Sequence, residues 1–191
     1  KNGMLTHGSL FSGIGGFDLG FERVGIKTLW QVECNPYCLK VLEKHWLDVR
    51  RYTDVRTFLD GIPPKRPDII SGGFPCQPFS KAGQRRGRDD DRDLWPSMLA
   101  AIERLRPTWV VGENVLGILD MELDQCISDL ESLGYTARPL GIPALAMDAK
   151  QPRQRIWIMA YDETRRFSFR FTTKKVQQST CSRSVPSRKE V

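Results

Sequence analysis

The sequence predicts an α/β fold in which helices cover both faces of a mostly parallel sheet. Three observations lead to this fold class. Strand-like apolar runs alternate with helical stretches along the 191 residues, an order typical of doubly wound sheets. Hydrophobic residues make up 40% of the chain, which is enough to form a core. No apolar run is as long as a membrane span, so no membrane partner is expected.

Most of the predicted elements have a sequence signal at one end. Asn35 followed by Pro36 is typical of a helix N-cap and a first helical residue. Apolar residues at helical spacing, among them Leu19 and Val24, predict the first helix. In chain order, the predicted elements are a strand ending at Leu10-Phe11, a helix over 17–24 ended by Gly25, a strand over 28–33, a helix from Pro36 to His45, a short strand ending at Asp54-Val55, a strand over 68–73, a helix over 93–105 stopped by Pro107, a strand over 109–114, a helix over 123–133 closed by Gly134, and a strand over 155–160.

The net charge of +6 does not by itself indicate a nucleic-acid partner for the folded part of the chain. Residues 1–162 contain 21 basic and 21 acidic residues, whose charges cancel. Residues 163–191 contain 8 basic and 2 acidic residues and account for the whole excess. From residue 172 onward this stretch has almost no apolar residue, so we expect it to be disordered.

The cysteines indicate a reducing compartment rather than a disulfide framework. They are five in number, an odd count, and they include no C-x-x-C pair. With His7 and His45 as the two histidines, no metal site is predicted. The N-terminus lacks an apolar signal segment. We therefore expect a cytoplasmic protein.

A glycine-rich loop follows the first strand, where α/β sheets often bind a nucleotide-like cofactor. The loop contains Phe11, Gly13, Gly15, Gly16 and Phe17. Glu33 ends the second strand and could accept both hydroxyls of a ribose, while Asp54 could accept a hydrogen bond from an adenine amino group. Singly, a plain tight turn and solvated or capping carboxylates explain the same residues. Together they indicate an adenosyl group, which leaves both NAD and S-adenosylmethionine open.

Cys76 lies in an unusual loop directly after a buried strand. Two glycines and two prolines surround it in Gly72-Gly73-Phe74-Pro75-Cys76-Gln77-Pro78-Phe79-Ser80. A structural cysteine more often lies within a strand or helix. A nucleophilic thiolate needs partial exposure, which a loop at this edge of the sheet provides. The segment therefore indicates Cys76 as a candidate nucleophile.

Six segments in this order resemble the cytosine-5 DNA methyltransferases of bacteria and phages, the type found in restriction–modification. Residues 73–80 resemble the catalytic loop of that family, and Glu113-Asn114-Val115 is similar to its catalytic Glu-Asn-Val. The other matching segments are residues 11–17, Glu33 with Asp54-Val55, Arg92-Asp93-Leu94-Trp95, and Gln151-Pro152-Arg153-Gln154-Arg155. The resemblance covers residues 8–162.

This resemblance implies a Rossmann-like, S-adenosylmethionine-dependent methyltransferase fold, truncated at its C-terminus, that acts on cytosine in double-stranded DNA. Cys76 would add to C6 of a flipped-out cytosine, so that C5 can take a methyl group. Glu113 would contact N3 and the exocyclic amine, while Arg153 and Arg155 would hold the base carbonyl, a flanking phosphate and Glu113 itself. The residues implied for the cofactor are Phe11, Gly13, Gly15, Gly16, Glu33, Asp54, Val55, Pro75 and Leu94. From the residues alone, Glu113 could also be an ordinary acid at a strand end, and Arg153 and Arg155 could form an ordinary exposed basic edge.

The segment after Cys76 is a candidate DNA contact. The residues proposed for it are Gln77, Ser80, Lys81, Arg85, Arg86 and Arg88. Basic residues between glycines suit a mobile loop that closes on phosphates. The neighbouring Asp89, Asp90 and Asp91 partly cancel this charge, so a solvated polar loop is the alternative.

Residues 163–191 hold none of the later motifs of the family, and we expect residues 1–162 to be the cofactor-binding and catalytic domain. The last 29 residues would be a basic tail or the truncated start of a recognition region. Met4, after Lys1, is expected to be the natural start unless the chain is a fragment. Three functions stay open: a weakly active catalytic half, one subunit of a split enzyme whose second subunit supplies the recognition region, and a binding protein that no longer catalyses. An RNA methyltransferase and a nicotinamide enzyme are further alternatives.

Overall fold

The structure, a computed structural model, describes residues 3–60, 64–75 and 94–165. Within these ranges, seven strands form one sheet, with helices in the connections between them. In chain order the elements are β1 (Thr6–Leu10), α1 (Gly16–Arg23), β2 (Lys27–Val32), α2 (Pro36–His45), β3 (Arg50–Tyr52), β4 (Ile69–Gly72), α3 (Trp95–Leu105), β5 (Trp109–Val115), α4 (Ile118–Met121), α5 (Leu123–Ser132), β6 (Tyr135–Pro143), a 3₁₀ turn (Ala144–Met147) and β7 (Gln154–Asp162).

The strands lie in the order β3-β2-β1-β4-β5-β7-β6. Strands β1 to β5 pair in parallel, whereas β7 is antiparallel to both of its neighbours, β5 and β6. The prediction of a mostly parallel α/β sheet is therefore confirmed. Because β1 to β5 run in one direction, their carboxyl ends meet at one edge, which we call the carboxyl edge.

The capping signals in the sequence correspond to real helix ends. Asn35 caps α2, because its side-chain oxygen accepts the backbone N–H groups of Tyr37 at 2.9 Å and Cys38 at 3.3 Å. Helix α2 then runs from Pro36 to His45, as predicted. Helix α3 begins at Trp95, and the predicted start at residue 93 lies outside the described residues.

Three short elements and one long strand were not predicted from the sequence or differ from the prediction. Strand β6 contains two prolines and a glycine, which obscure its pattern. Proline is tolerated there because β6 pairs only with β7 among the described strands and lies at an edge of the sheet. Helix α4 and the 3₁₀ turn each have four residues, too few for a periodic signal. Strand β3 ends at Tyr52, so Asp54 lies two residues beyond the strand that was predicted to end with it.

Helix α1 begins and ends one residue earlier than expected and has an unexpected orientation. Its fully buried side chain is that of Asp18, while two of the apolar residues that predicted the helix, Leu19 and Val24, are 45% and 73% exposed. Apolar spacing therefore located this helix, but of the residues that carried it only Phe17 and Phe21 are partly buried.

The core lies between the sheet and helices α3 and α5. Fully buried side chains meet there from both helices and from the central strands: Met98, Ile102, Leu130, Ile70, Val110 and Ile158. Among the helices of the described residues, none combines the length and the apolar character that crossing a bilayer would require.

Candidate cofactor cavity and catalytic pair

A cavity of about 430 Å³ opens at the carboxyl edge, where β1, β2, β3 and β4 end. This volume lies within the range of small-molecule sites, roughly 300–1,000 Å³. The cavity is lined by Phe11, Val32, Glu33, Cys34, Thr53, Asp54, Val55, Arg56, Gly73, Pro75 and Leu94. Six of the nine residues assigned to the cofactor from the sequence lie in this lining, and Gly13, Gly15 and Gly16 lie in the adjoining loop.

The glycine loop crosses from β1 to α1 through three left-handed residues. The φ angles of Phe11, Gly13 and Gly15 are 51°, 55° and 89°. Glycine is required at position 15 because a β-carbon there would lie 2.3 Å from the ring of Trp46. The backbone N–H of Gly13 donates to Oε2 of Glu33 at 2.7 Å, which ties the loop to the end of β2.

The two carboxylates predicted to bind the cofactor are both oriented by backbone groups. Glu33 accepts a second hydrogen bond, from the N–H of Asn35 at 2.8 Å, through its other oxygen. Asp54 accepts from the N–H of Arg56 at 2.9 Å and caps a turn of the chain. Both side chains combine a capping contact with a place in the cavity wall, so the capping alternative accounts for part of their environment.

The second group of predicted residues lies on β5 and β7, which pair side by side. Oε1 of Glu113 lies 2.8 Å from Nε of Arg155, and the two side chains are 27% and 21% exposed. The strand register places Glu113 opposite Trp157 and Arg155 opposite Val115, so this ion pair runs diagonally between the strands. Arg153 is exposed just before β7, and among the described residues the carboxylate of Glu113 pairs with Arg155 rather than with Arg153.

Gly73 connects the cavity and the Glu113–Arg155 pair. It lines the cavity, and a β-carbon built on it would lie 3.3 Å from Oε2 of Glu113. Gly73 is therefore the wall between the cavity and the Glu113–Arg155 pair. A side chain at position 73 would displace the Glu113 carboxylate.

Three residues that were not predicted as functional hold this wall in place. Asn114 donates from Nδ2 to the carbonyl oxygen of Phe74 at 3.1 Å, and the ring of Phe74 packs on Trp95 with the centroids 5.1 Å apart. Phe74 and Trp95 are both nearly fully buried. The signal for Asn114 was its position: it follows Glu113 on a strand, so its side chain points to the opposite, buried face.

The predicted nucleophile and the DNA-contact residues are in the segment 76–93, outside the described residues. This holds for Cys76, Gln77, Ser80, Lys81, Arg85, Arg86 and Arg88. The residues on either side of the segment, Pro75 and Leu94, both line the cavity. Cys76 follows directly on a residue of the cavity wall.

The strand order is that of an α/β methyltransferase fold, which solved methyltransferase structures share. The structure is similar to the S. pombe Dnmt2 methyltransferase, with a TM-score of 0.70 and 19% identity over 85% of this chain and 52% of that one. It is also similar to the Entamoeba histolytica methyltransferase EhMeth, with a TM-score of 0.66 and 18% identity over 88% of this chain and 56% of that one. At these identities the similarity concerns the fold.

The chain belongs to the C-5 cytosine-specific DNA methylase family, whose model matches residues 5–190. It is 33% identical over 172 residues to the type II methyltransferase M.NgoFVII of Neisseria gonorrhoeae, covering 85% of this chain and 45% of that protein. It is 31% identical over 167 residues to the type II methyltransferase M.Eco47II of Escherichia coli, covering 84% of this chain and 40% of that protein. The chain thus spans less than half the length of these relatives. The family match also reaches beyond residue 162, where the recognisable motifs stop.

Proposed function

We propose that this chain carries the cofactor site and the catalytic residues of a methyl transfer from S-adenosylmethionine to C5 of cytosine in DNA. The observation that supports this most is the wall at Gly73, which separates a nucleoside-sized cavity from a carboxylate–arginine pair. In a methyl transfer the donor and the target base must come into contact, and two sites that adjoin at one glycine can hold them close enough. Because the chain belongs to the cytosine-5 family, we interpret the Glu113–Arg155 pair as the groups that contact the target cytosine.

The cavity lining fits an adenosyl group. Apolar side chains such as Val55 and Leu94 suit the faces of an adenine ring, and the carboxylates of Glu33 and Asp54 suit ribose hydroxyls and an exocyclic amine. Bound there, S-adenosylmethionine supplies an electrophilic methyl group on a sulfonium centre. Glu33 keeps its orientation through the N–H of Gly13, so the loop and the carboxylate act as one unit.

The protein residues make C5 of cytosine nucleophilic. The thiolate of Cys76 adds to C6, and the electron pair of the C5–C6 bond moves to C5, while Glu113 donates a hydrogen bond to N3 and accepts one from the exocyclic amine. After methylation, C5 loses its proton to a base, and the returning electron pair expels Cys76. Arg155 holds the Glu113 carboxyl in place at 2.8 Å. The target base must leave the duplex to reach these groups.

The test is covalent capture on DNA that contains 5-fluorocytosine. The fluorine blocks the loss of the C5 proton, so a working thiolate stays bonded to the base and shifts the protein on a denaturing gel. We expect a shifted band that needs S-adenosylmethionine, is lost in Cys76→Ser and persists in Cys38→Ser, the matched thiol control. A band that survives Cys76→Ser would contradict the assignment of the nucleophile.

We propose a second polypeptide segment at the same edge, in a longer chain or in another subunit, that supplies target recognition. The surface beside Glu113 carries exposed apolar side chains on β5, α4, β6 and the 3₁₀ turn, and on the residue after β5: Val115, Leu116, Leu119, Leu140, Leu145 and Met147. Grouped exposed apolar residues mark interaction sites. In the capture experiment this arrangement predicts a weak shifted band with the chain alone and a stronger one when the recognition half of a relative is added.

A further inference from the structure

Helix α1 buries a carboxylate where a core-facing helix normally buries an apolar side chain. Asp18 is 0% exposed, while the neighbouring Leu19 is 45% exposed. Exchanging the two would bury more apolar surface and leave the carboxylate in water, so hydrophobic burial does not explain this arrangement. Burial raises the pKa of the Asp18 carboxyl, and hydrogen bonds from Gln31 and Ser9 act in the opposite direction. A costly group at this position calls for a role other than core packing.

The two oxygens of Asp18 bind one residue on each of two paired strands. Oδ2 accepts from Oγ of Ser9 on β1 at 3.0 Å, and Oδ1 accepts from Nε2 of Gln31 on β2 at 3.0 Å. Ser9 and Gln31 lie directly opposite each other in the sheet. Both are fully buried, and Oε1 of Gln31 has no hydrogen-bond partner among the described residues. The carboxylate therefore joins the first turn of α1 to both strands at a single level.

Each of these strands reaches the cavity two residues later. Ser9 precedes Phe11 and Gln31 precedes Glu33, and both Phe11 and Glu33 line the cavity. Ser12 joins the same strands from the loop side, through its N–H to the carbonyl of Val32 at 3.1 Å. The left-handed residues of the loop thus lie between the contacts of Asp18 and the contact of Ser12.

We propose that Asp18 is a positioning residue for the cofactor: by clamping α1 to β1 and β2, it fixes the glycine loop against Glu33 and so sets the affinity for S-adenosylmethionine. This proposal rests on the proposed function. Asp18 lies behind the loop and acts through the Gly13–Glu33 contact.

The decisive variant replaces the whole polar cluster with apolar groups, Ser9→Ala with Asp18→Leu and Gln31→Leu. Such replacements in a core are often neutral or stabilising, so the melting temperature should stay near that of the wild type. The dissociation constant for S-adenosylmethionine, measured by calorimetry on the full chain, should rise by about tenfold or more, which corresponds to about 1.4 kcal/mol. The single variant Asp18→Asn, whose amide can bond Ser9 and a rotated Gln31 side chain, should keep the affinity near that of the wild type.

Two controls separate positioning from general stability. Leu130→Ala lowers the melting temperature through a cavity in α5, remote from the loop, and should leave cofactor affinity unchanged. Hydrogen exchange at the Gly13 N–H without ligand should be faster in the triple variant and unchanged in Leu130→Ala. Wild-type affinity and exchange in the triple variant would overturn the proposal. If the wild-type chain bound no S-adenosylmethionine, the proposed function would fail, and the hydrogen exchange would still decide whether Asp18 fixes the loop.

Discussion

The two halves of the carboxyl edge hold their polar side chains in different ways. On the half formed by β1 to β3, Glu33 and Asp54 accept hydrogen bonds from backbone N–H groups. On the half formed by β5, β7 and β6, Glu113 pairs with another side chain, Arg155, and both remain partly exposed. Backbone contacts orient a group before any ligand arrives, whereas a side-chain pair can be rearranged by a substrate. The first half suits a cofactor of constant shape, and the second suits a base that enters and leaves.

The largest effect is expected from a substitution on the rearrangeable half. Glu113→Gln should slow covalent capture of 5-fluorocytosine DNA by about 10²- to 10⁴-fold, because the amide cannot share a proton with N3 as the adduct forms. Cofactor affinity should stay unchanged, since the substituted side chain is on the far side of Gly73. Glu103→Gln, an exposed change of the same charge on α3, is the control. A parallel loss of cofactor binding in Glu113→Gln would break the proposed division between the halves.

The loss of folding stability at acid pH should originate in the half of the sheet formed by β1 to β3. His7 is fully buried between Thr28 and Ser71, with its nitrogens 3.2 Å and 2.7 Å from their hydroxyl oxygens, and burial lowers its pKa from 6.5 to about 3. The folded state holds the imidazole of His7 in its neutral form. The contribution of His7 to the free energy of unfolding is therefore fully present above about pH 6.5. It falls as the pH approaches 3, by several kcal/mol in total. His7→Gln should flatten the dependence of the free energy of unfolding on pH in this window. The exposed His45→Gln should not, and an unchanged slope in His7→Gln would contradict the assignment.

Two glycine substitutions in the same region should act in opposite directions. Gly15→Ala should lower the free energy of unfolding by about 1–3 kcal/mol and weaken cofactor binding, because the methyl group meets Trp46 and the backbone is left-handed. Gly20→Ala, with open space around its β-carbon inside α1, should raise stability by up to about 1 kcal/mol. Thermal melts and calorimetry decide between these outcomes. Equal behaviour of the two variants would mean that the loop tolerates a conformation other than the one observed.

The smallest effect is expected at the joint between the halves. Asn114→Ala removes the hydrogen bond to the carbonyl of Phe74 and should cost about 1 kcal/mol of stability. The rate of covalent capture should fall further than the decrease in the folded fraction explains, because the backbone before Cys76 is held less firmly. Asn114→Asp keeps the acceptor for the Val115 N–H and removes only the donor, so it should slow capture as well. Normal capture in both variants would show that Asn114 does not hold the wall.

The sequence predicted the parallel half of the molecule better than the antiparallel half. Caps and glycine turns are local signals, and so Asn35, Gly25 and Gly134 located their helix ends correctly. Strand β6 was not predicted, because its prolines are tolerated only at the edge of a sheet. That position is a property of the assembled sheet.

The site shows the same division between local and assembled properties. Six of the predicted cofactor residues share one cavity. Five of them follow parallel strands, whose carboxyl ends meet by topology, and Leu94 directly precedes α3. The Asp18 clamp could not be predicted, since its partners Ser9 and Gln31 become neighbours only when the strands pair. The roles of Cys76, Arg153 and the basic residues up to Arg88 stay predictions, to be decided by the capture experiment.

A crystal structure of the chain with S-adenosylhomocysteine tests the central claim, that cofactor and base meet at Gly73. We expect the ligand in the cavity between Phe11 and Leu94, with its ribose on Glu33 and its sulfur beside Gly73, facing the Glu113 carboxylate. A ligand bound with its sulfur directed away from Gly73, or in another site, would contradict it.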